Sequence, residues 1–325
     1  MYSNNNHWKK LGVVFDPKWL NNRPEWMNDF AQAPNAIVLE DRIRVYFCCR
    51  PISDSPGNFI SRCAFVDLDI NNPLEIISIA EKPILELGKC GDFDEYGTYP
   101  VSIFKNEKTC FAIYGGWTRC NSVPFDISLG IGFSEDGGIT FKKRFRGPIL
   151  SSSPDEPFVI TSPKIRYFYN KWYLTYTAGC RWIKDHDGRP EIIYKLRMAT
   201  SDDLINWNIL NKNIVTDKLG ESEAQACGDI FWDGNQFNMH FCYREALDFR
   251  SNKNNSYRIG YCFSTDLFNW HRDDSKVDLD VSISGWDSEM VAYPNVFSVK
   301  NKIYMLYGGN GNGKTGFGIA KLSYN

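Results

Sequence analysis

Apolar and polar positions along this chain fall into short runs separated by tight polar turns, and the arrangement repeats. Residues 35–39 form an apolar run that ends in Glu40-Asp41 and restarts over 43–49; residues 164–169 turn at Asn170-Lys171 into 172–177. Runs of this length, rich in β-branched and aromatic residues, predict antiparallel hairpins rather than helices. Similar turns stand at Asp233-Gly234-Asn235 and Lys300-Asn301. Each hairpin opens on a short phrase: Ala33-Pro34, Tyr99-Pro100, Ser162-Pro163, Gly228-Asp229 and Tyr293-Pro294. The second residues of these pairs lie 66, 63, 66 and 65 apart, so five such periods span the 325 residues. A unit made of strands alone cannot bury both its faces, so the repeat predicts an all-β fold, a five-bladed β-propeller with four-stranded antiparallel blades.

The rest of each unit fits that plan. Residues 195–201 and then 207–210 read as third and fourth strands, as do 258–264 and the run after Trp270. Between them stand Ser201-Asp202-Asp203-Leu204-Ile205-Asn206-Trp207 and Ser264-Thr265-Asp266-Leu267-Phe268-Asn269-Trp270, a repeated Ser-x-Asp-Leu-x-Asn-Trp corner. In the second unit the corner is Ser134-Glu135-Asp136-Gly137-Gly138-Ile139-Thr140-Phe141, similar to the Asp-box turn of sialidases. The fifth unit supplies three strands, the third over 316–322, while a strand over 8–15 belongs to no unit. This N-terminal strand is expected to complete the last blade and close the ring, which removes exposed sheet edges and makes 1–325 a single domain.

Composition narrows the function classes. A net charge of −2 and a pI near 6.1 give no global attraction for nucleic acid. No apolar stretch approaches the roughly 20 residues that span a bilayer, and residues 1–10 are too polar for a signal peptide. Ten cysteines lie mostly inside predicted strands, as with Cys48, Cys49, Cys110, Cys242 and Cys262, without metal-like spacing. They read as buried thiols of a cytoplasmic bacterial protein, in keeping with Lys- and Asn-rich turns.

First strands begin, and second strands end, on one face of a propeller, so residues there converge on a central funnel. The second strands end in Arg50, Arg119, Arg181 and Arg244, with Asn310 at the matching place in the fifth unit. Four guanidinium groups on one rim need compensation, either from acids that brace adjacent blades or from an anionic ligand held in a bidentate way. Acids stand at the first strands: Asp29, Asp94, Asp155-Glu156, Glu221, Glu223, Asp229, and Asp287 with Glu289. Paired carboxylates at a sugar-sized funnel suit glycosyl transfer, one handling a proton and the other acting at the anomeric carbon. Each also suits a salt bridge to the arginines. Trp26, Trp117, Trp182 and Trp286, with Tyr99 and Tyr293 of the opening phrases, offer flat faces for a sugar ring.

The blade pattern, the Ser-x-Asp-Leu-x-Asn-Trp corners and the stretch Trp26-Met27-Asn28-Asp29 resemble the five-bladed propeller glycosidases of glycoside hydrolase families 43, 32 and 130. The resemblance implies a carbohydrate-active enzyme, but the families' acids are only partly present. Family 43 opens its first blade with Ala-Asp-Pro, where this chain has Gln32-Ala33-Pro34; family 32 runs directly from its second acid into Pro-Asn-Gly, whereas residues 30–33 separate Asp29 from Pro34. Tyr99 replaces the aspartate that families 43 and 130 place before the second-blade proline, and Ala226-Cys227-Gly228-Asp229 replaces the family 43 acid of blade four. The chain also looks like the propeller-type glycan phosphoribosyltransferases of bacterial polysaccharide assembly, by fold and basic rim.

Three readings follow. The first is transfer of a phosphorylated furanosyl group from a phosphoribosyl diphosphate-like donor to a glycan acceptor. There Arg50, Arg119, Arg181 and Arg244 clamp phosphate, and Asp229, Asp94 or Asp287 is the acceptor base or a Mg²⁺ ligand. The second is a glycoside hydrolase or phosphorylase with Asp29 or Asp94 as one carboxylate and Glu223 or Glu289 as the other. The third is a propeller that only binds carbohydrate or protein.

Overall fold

Hairpin after hairpin of apolar strands closes into a ring of five sheets in the computed structural model, which describes residues 6–53 and 60–324. Strand β1 (Asn6–Phe15) precedes blade one, which is β2 (Asp29–Val38), β3 (Arg42–Arg50), β4 (Arg62–Asp69) and β5 (Ile76–Ile79). Blade two is β6 (Gly97–Asn106), β7 (Thr109–Arg119), β8 (Phe125–Ser134) and β9 (Lys142–Lys143). Blade three is β10 (Ile160–Phe168), β11 (Lys171–Lys184), β12 (Pro190–Ser201) and β13 (Asn208–Ile209). Blade four is β14 (Glu223–Trp232), β15 (Phe237–Glu245), β16 (Arg258–Ser264) and β17 (His271–Arg272). Blade five holds β18 (Ala292–Val299), β19 (Lys302–Gly308) and β20 (Phe317–Tyr324), and its fourth strand is β1. The antiparallel pairing of β1 with β20 sets Trp8 opposite Leu322 and Phe15 opposite Phe317, the ring closure expected from the sequence.

The repeated corners are local hydrogen-bond devices. Ser201 Oγ accepts from the Leu204 N–H (2.9 Å), and Asp203 Oδ1 accepts from the Ile205 and Asn206 N–H groups (2.9 and 2.8 Å). Ser264 and Asp266 make the same bonds to Leu267, Phe268 and Asn269. Leu204 and Leu267 take left-handed φ of 67° and 68°, which turns both leucines into the core. A short polar side chain that caps main-chain N–H groups makes such a turn affordable for a non-glycine residue.

Each opening phrase is a β-bulge. The ladder between first and second strands slips between Gln32 and Asn35, Thr98 and Val101, Thr161 and Lys164, Ala226 and Asp229, and Ala292 and Asn295. Ala33, Ser162, Cys227 and Tyr293 sit there at φ of 50°, 52°, 55° and 57°, while blade two uses a cis Tyr99-Pro100 bond. Bulges re-aim side chains, here towards the axis. In blade four the bulge is Cys227-Gly228, one residue earlier than the Gly228-Asp229 read from the sequence, so Asp229 is already a ladder residue opposite His240.

Just past the bulges a belt of polar side chains laces the inner strands together. Asn35 Oδ1 accepts from the Ile103 N–H (2.7 Å), Ser102 Oγ from Ile165 (3.2 Å), Asp229 Oδ2 from Val296 (2.6 Å) and Asn295 Oδ1 from Ala36 (2.7 Å). Between blades three and four the link is Arg166, whose Nε donates to the Ile230 carbonyl (2.7 Å) and whose Nη2 pairs with Asp229.

Candidate functional site

The bulged ends of the inner strands surround a cavity of about 750 Å³ at the mouth of the ring. Its wall is aromatic over a wide arc: Trp117, Phe125 and Trp182 on blades two and three, then Tyr194, Phe249, Tyr257 and Tyr293. Trp117 and Phe125 pack with ring centroids 4.6 Å apart, and Phe125 meets Trp182 edge-on at 5.7 Å, so these rings hold one another. Tyr99 lines the cavity too, and its carbonyl accepts from the Trp117 indole N–H.

Three of the four arginines expected at the rim line this cavity, and each lies over an aromatic ring. Arg50 stacks on Phe30 at 4.4 Å and points Nη2 at Gln32 Oε1 (3.4 Å). Arg119 stacks on Tyr96 at 4.2 Å, and Arg244 on Phe249 at 3.6 Å. Flat guanidinium groups shed water at little cost and stack well on such rings. Arg181 is the exception: it is exposed and outside the lining, because β11 and β12 run on past it as a long hairpin. Trp286 is outside as well, packed on Tyr307 (5.1 Å) where Gly309 and Gly318 leave room for its ring. Trp26 packs against the blade-one core.

The acids read from the sequence are mostly held elsewhere. Asp94 is buried, accepts from the Tyr114 hydroxyl (2.9 Å) and pairs with Lys143 (2.6 Å). Asp287 is buried against the Tyr307 hydroxyl (3.2 Å) and Lys10 (2.6 Å). Glu156 follows the same plan, with the Tyr176 hydroxyl at 2.8 Å and Arg197 at 3.8 Å. A second-strand tyrosine, an entry acid and a base from the outer strands thus recur in blades two, three and five. Blade four has Phe241 at the tyrosine position, and there Glu223 instead pairs with Arg272 (2.7 Å) and accepts from the Lys218 and Leu219 N–H groups. Burial and Asp94 push the Tyr114 hydroxyl far above its ordinary pKa, so it donates and stays protonated. Asp229 is part of the inner belt, and Asp29 pairs with Lys18 at 3.2 Å outside the lining.

Two carboxylates do line the cavity. Glu289 is exposed on blade five, its main chain held by Asn310 Oδ1, which accepts from the Glu289 N–H (2.8 Å). Glu191 on β12 is in close contact with Arg250. Glu191, Tyr194, Phe249, Arg250 and Tyr257 were not among the sequence candidates. Their signal was loop length: β11 and β12 overrun the other hairpins, and 12 residues, 246–257, separate β15 from β16. Among the described residues no group of three or more His, Cys, Asp or Glu side chains is arranged to hold a metal ion.

No family profile matches the chain. Rv1502, an uncharacterized protein of Mycobacterium tuberculosis (strain ATCC 25618 / H37Rv), is 30% identical over 317 residues, covering 97% of this chain and 99% of the relative. The chain belongs to the Rv1502 family. Its counterpart in strain CDC 1551 / Oshkosh, MT1551, matches equally. A shorter stretch of 101 residues, 31% of this chain and 30% of the relative, is 35% identical to the β-1,2-mannobiose phosphorylase of Thermoanaerobacter sp. (strain X514). Among solved structures, a glycoside hydrolase superposes with a TM-score of 0.74 at 15% identity, covering 98% of this chain and 92% of that one. A structure from the GH130 family of mannoside phosphorylases, which contains glycoside hydrolases targeting β-1,2 mannosidic linkages, gives 0.71 at 16%, covering 98% and 94%. At those identities the Rv1502 family shares with these enzymes the five-bladed fold.

Proposed function

We propose that this protein is a carbohydrate-active enzyme that cleaves a glycosidic bond, as a hydrolase or a phosphorylase. The observation that carries the reading is one cavity combining mutually packed aromatic rings, stacked arginines and an exposed carboxylate without an ion-pair partner among the described residues, Glu289. Trp117, Phe125 and Trp182 bind the sugar ring by its C–H face. Glu289 gives the leaving oxygen its proton as that oxygen's bond to the anomeric carbon breaks, while inorganic phosphate, or a water that releases its own proton to solvent, attacks that carbon from the other face. Arg50 and Arg119 on the cavity wall favour phosphate as the attacking group. The local similarity to a β-1,2-mannobiose phosphorylase and the glycoside-cleaving neighbours support cleavage. Transfer from a phosphoribosyl diphosphate-like donor finds no such support, and Asp94, Asp229 and Asp287, assigned to it, are engaged in blade pairs.

The test is a panel of oligosaccharides, β-1,2-linked mannosides included, incubated with and without inorganic phosphate and read by product chromatography. A sugar 1-phosphate marks phosphorolysis and a free reducing sugar marks hydrolysis. Glu289→Gln is expected to lose on the order of 10²-fold or more in rate. Cleavage at an undiminished rate in Glu289→Gln would remove Glu289 from the mechanism, and binding without any cleavage would reduce the protein to a lectin-like propeller.

A further inference from the structure

The blade-four wall of the cavity carries a buried charge without a counter-charge among the described residues. Arg244 is 2% exposed, yet its bonds are all to neutral oxygens: Nη1 donates to the carbonyls of Glu245 (2.8 Å) and Ala246 (3.1 Å), and Nη2 to the Tyr194 hydroxyl (3.3 Å). Its Nε has no hydrogen-bond partner among the described residues. A second buried orphan lies on the same wall, Ser256 Oγ, in a residue that is 3% exposed and also lines the cavity. Such groups are costly to bury and are retained where something completes them. Of the two carboxylates on the cavity, Glu191 is in contact with Arg250 and Glu289 stands on blade five, while blade four adds Arg244 and Lys253.

We propose that this wall is a subsite for a carboxylate carried by the sugar itself, so that the substrate is an acidic, uronate-type glycoside. The inference rests on the glycoside-cleaving reading above. The Nε and Nη2 edge of Arg244 is the edge that grips a carboxylate in a bidentate manner, and it is the edge without a carbonyl partner. Around it stand chiefly rings, Phe249 under the guanidinium at 3.6 Å, Tyr257 at 5.4 Å and Tyr293 packed on Tyr257, with Ser256 Oγ and Lys253 as the further donors of this wall. A free phosphate needs donors for all its oxygens, whereas a uronate offers one planar anion and a C–H face for the rings. The Tyr194 hydroxyl, which accepts from Nη2 and is in contact with the Tyr257 hydroxyl, orients this edge.

Isothermal titration of the intact protein tests this with methyl glucuronide, methyl galacturonide, their neutral parents and inorganic phosphate. The expected result is at least tenfold tighter binding of an acidic glycoside than of its neutral parent, with that preference lost in Arg244→Gln and reduced several-fold in Ser256→Ala. Ser256→Ala guards against a folding defect in the larger change, and both variants are checked by thermal melting. Equal binding of acidic and neutral glycosides, or an acid preference that survives Arg244→Gln, overturns the proposal. So does Arg244-dependent binding of inorganic phosphate without binding of uronates. Glu289-dependent cleavage of neutral glycosides alone would sink this subsite and leave the functional reading standing, whereas failure of every sugar to bind would sink both.

Discussion

Asp229 separates structural acids from chemical ones. It is fully buried, receives the Val296 N–H (2.6 Å) and Asn295 Nδ2 (3.0 Å), and pairs with Arg166, so it ties blades three, four and five at the belt. Asp229→Ala leaves two buried donors unsatisfied and removes the partner of Arg166. Breaking a buried pair costs about 3–5 kcal/mol; Arg166, with 24% of its side chain exposed, regains some water, which favours the lower end. At roughly 2–4 °C per kcal/mol for a large domain, the melting temperature falls by ~6–12 °C. Calorimetry measures the loss, and a cycle with Arg166→Met should show coupling of ~1 kcal/mol or more, since the two share one interaction. Ligand affinity at 25 °C, below the transition, should stay near wild type. A melting temperature within about 2 °C of wild type, together with abolished cleavage, would refute the argument and return Asp229 to the active site.

Other expectations follow from the same physics. His240, enclosed by Phe231, Trp8 and Tyr261, has its pKa pushed down to about 3 by burial. An unfolded histidine titrates near ~6.5, so between roughly pH 6.5 and 3 the unfolded chain binds a proton that the folded chain refuses. Stability from this group is therefore present above pH ~6.5 and lost as pH falls, by up to ~1.4 kcal/mol per unit. His240→Phe should flatten that slope in melts from pH 7 to 5, and an unchanged slope would contradict the assignment. A Cβ on Gly116 would lie 2.3 Å from Phe93 Cε2 and 2.7 Å from Asp94 Cβ, so Gly116→Ala should destabilise by ~1–3 kcal/mol, read by denaturant titration. Trp182→Ala, at a half-buried position on the cavity wall, should weaken sugar binding at least several-fold in titration while shifting the melting temperature by little.

The fold was legible because a propeller writes its period into local chemistry. The opening phrases mark bulges, the Ser-x-Asp corners mark third-to-fourth strand turns, and the unassigned strand over residues 8–15 found its place beside β20. The site was less legible because acids at the blade entries serve two ends that look alike in sequence. What separates Asp94 or Asp287 from Glu289 is the partner across the fold, a tyrosine from the second strand and a lysine from another strand, at distances the chain does not spell out. Arg50, Arg119 and Arg244 end short second strands and line the cavity, while Arg181 sits in a hairpin that continues past it. Hairpin length, rather than residue type, was the missing cue.

The pairing of β1 with β20 imposes an order in time. Trp8 and its partner Leu322 are 314 positions apart, so the strand made early waits until the last blade has emerged. At about 5–20 residues per second the interval is on the order of 15–60 s. Through it, the edge of β1 with Leu11, Val13 and Phe15 remains open to other chains. Slow translation lengthens that window, and a permuted chain in which β1 follows β20 directly would close it.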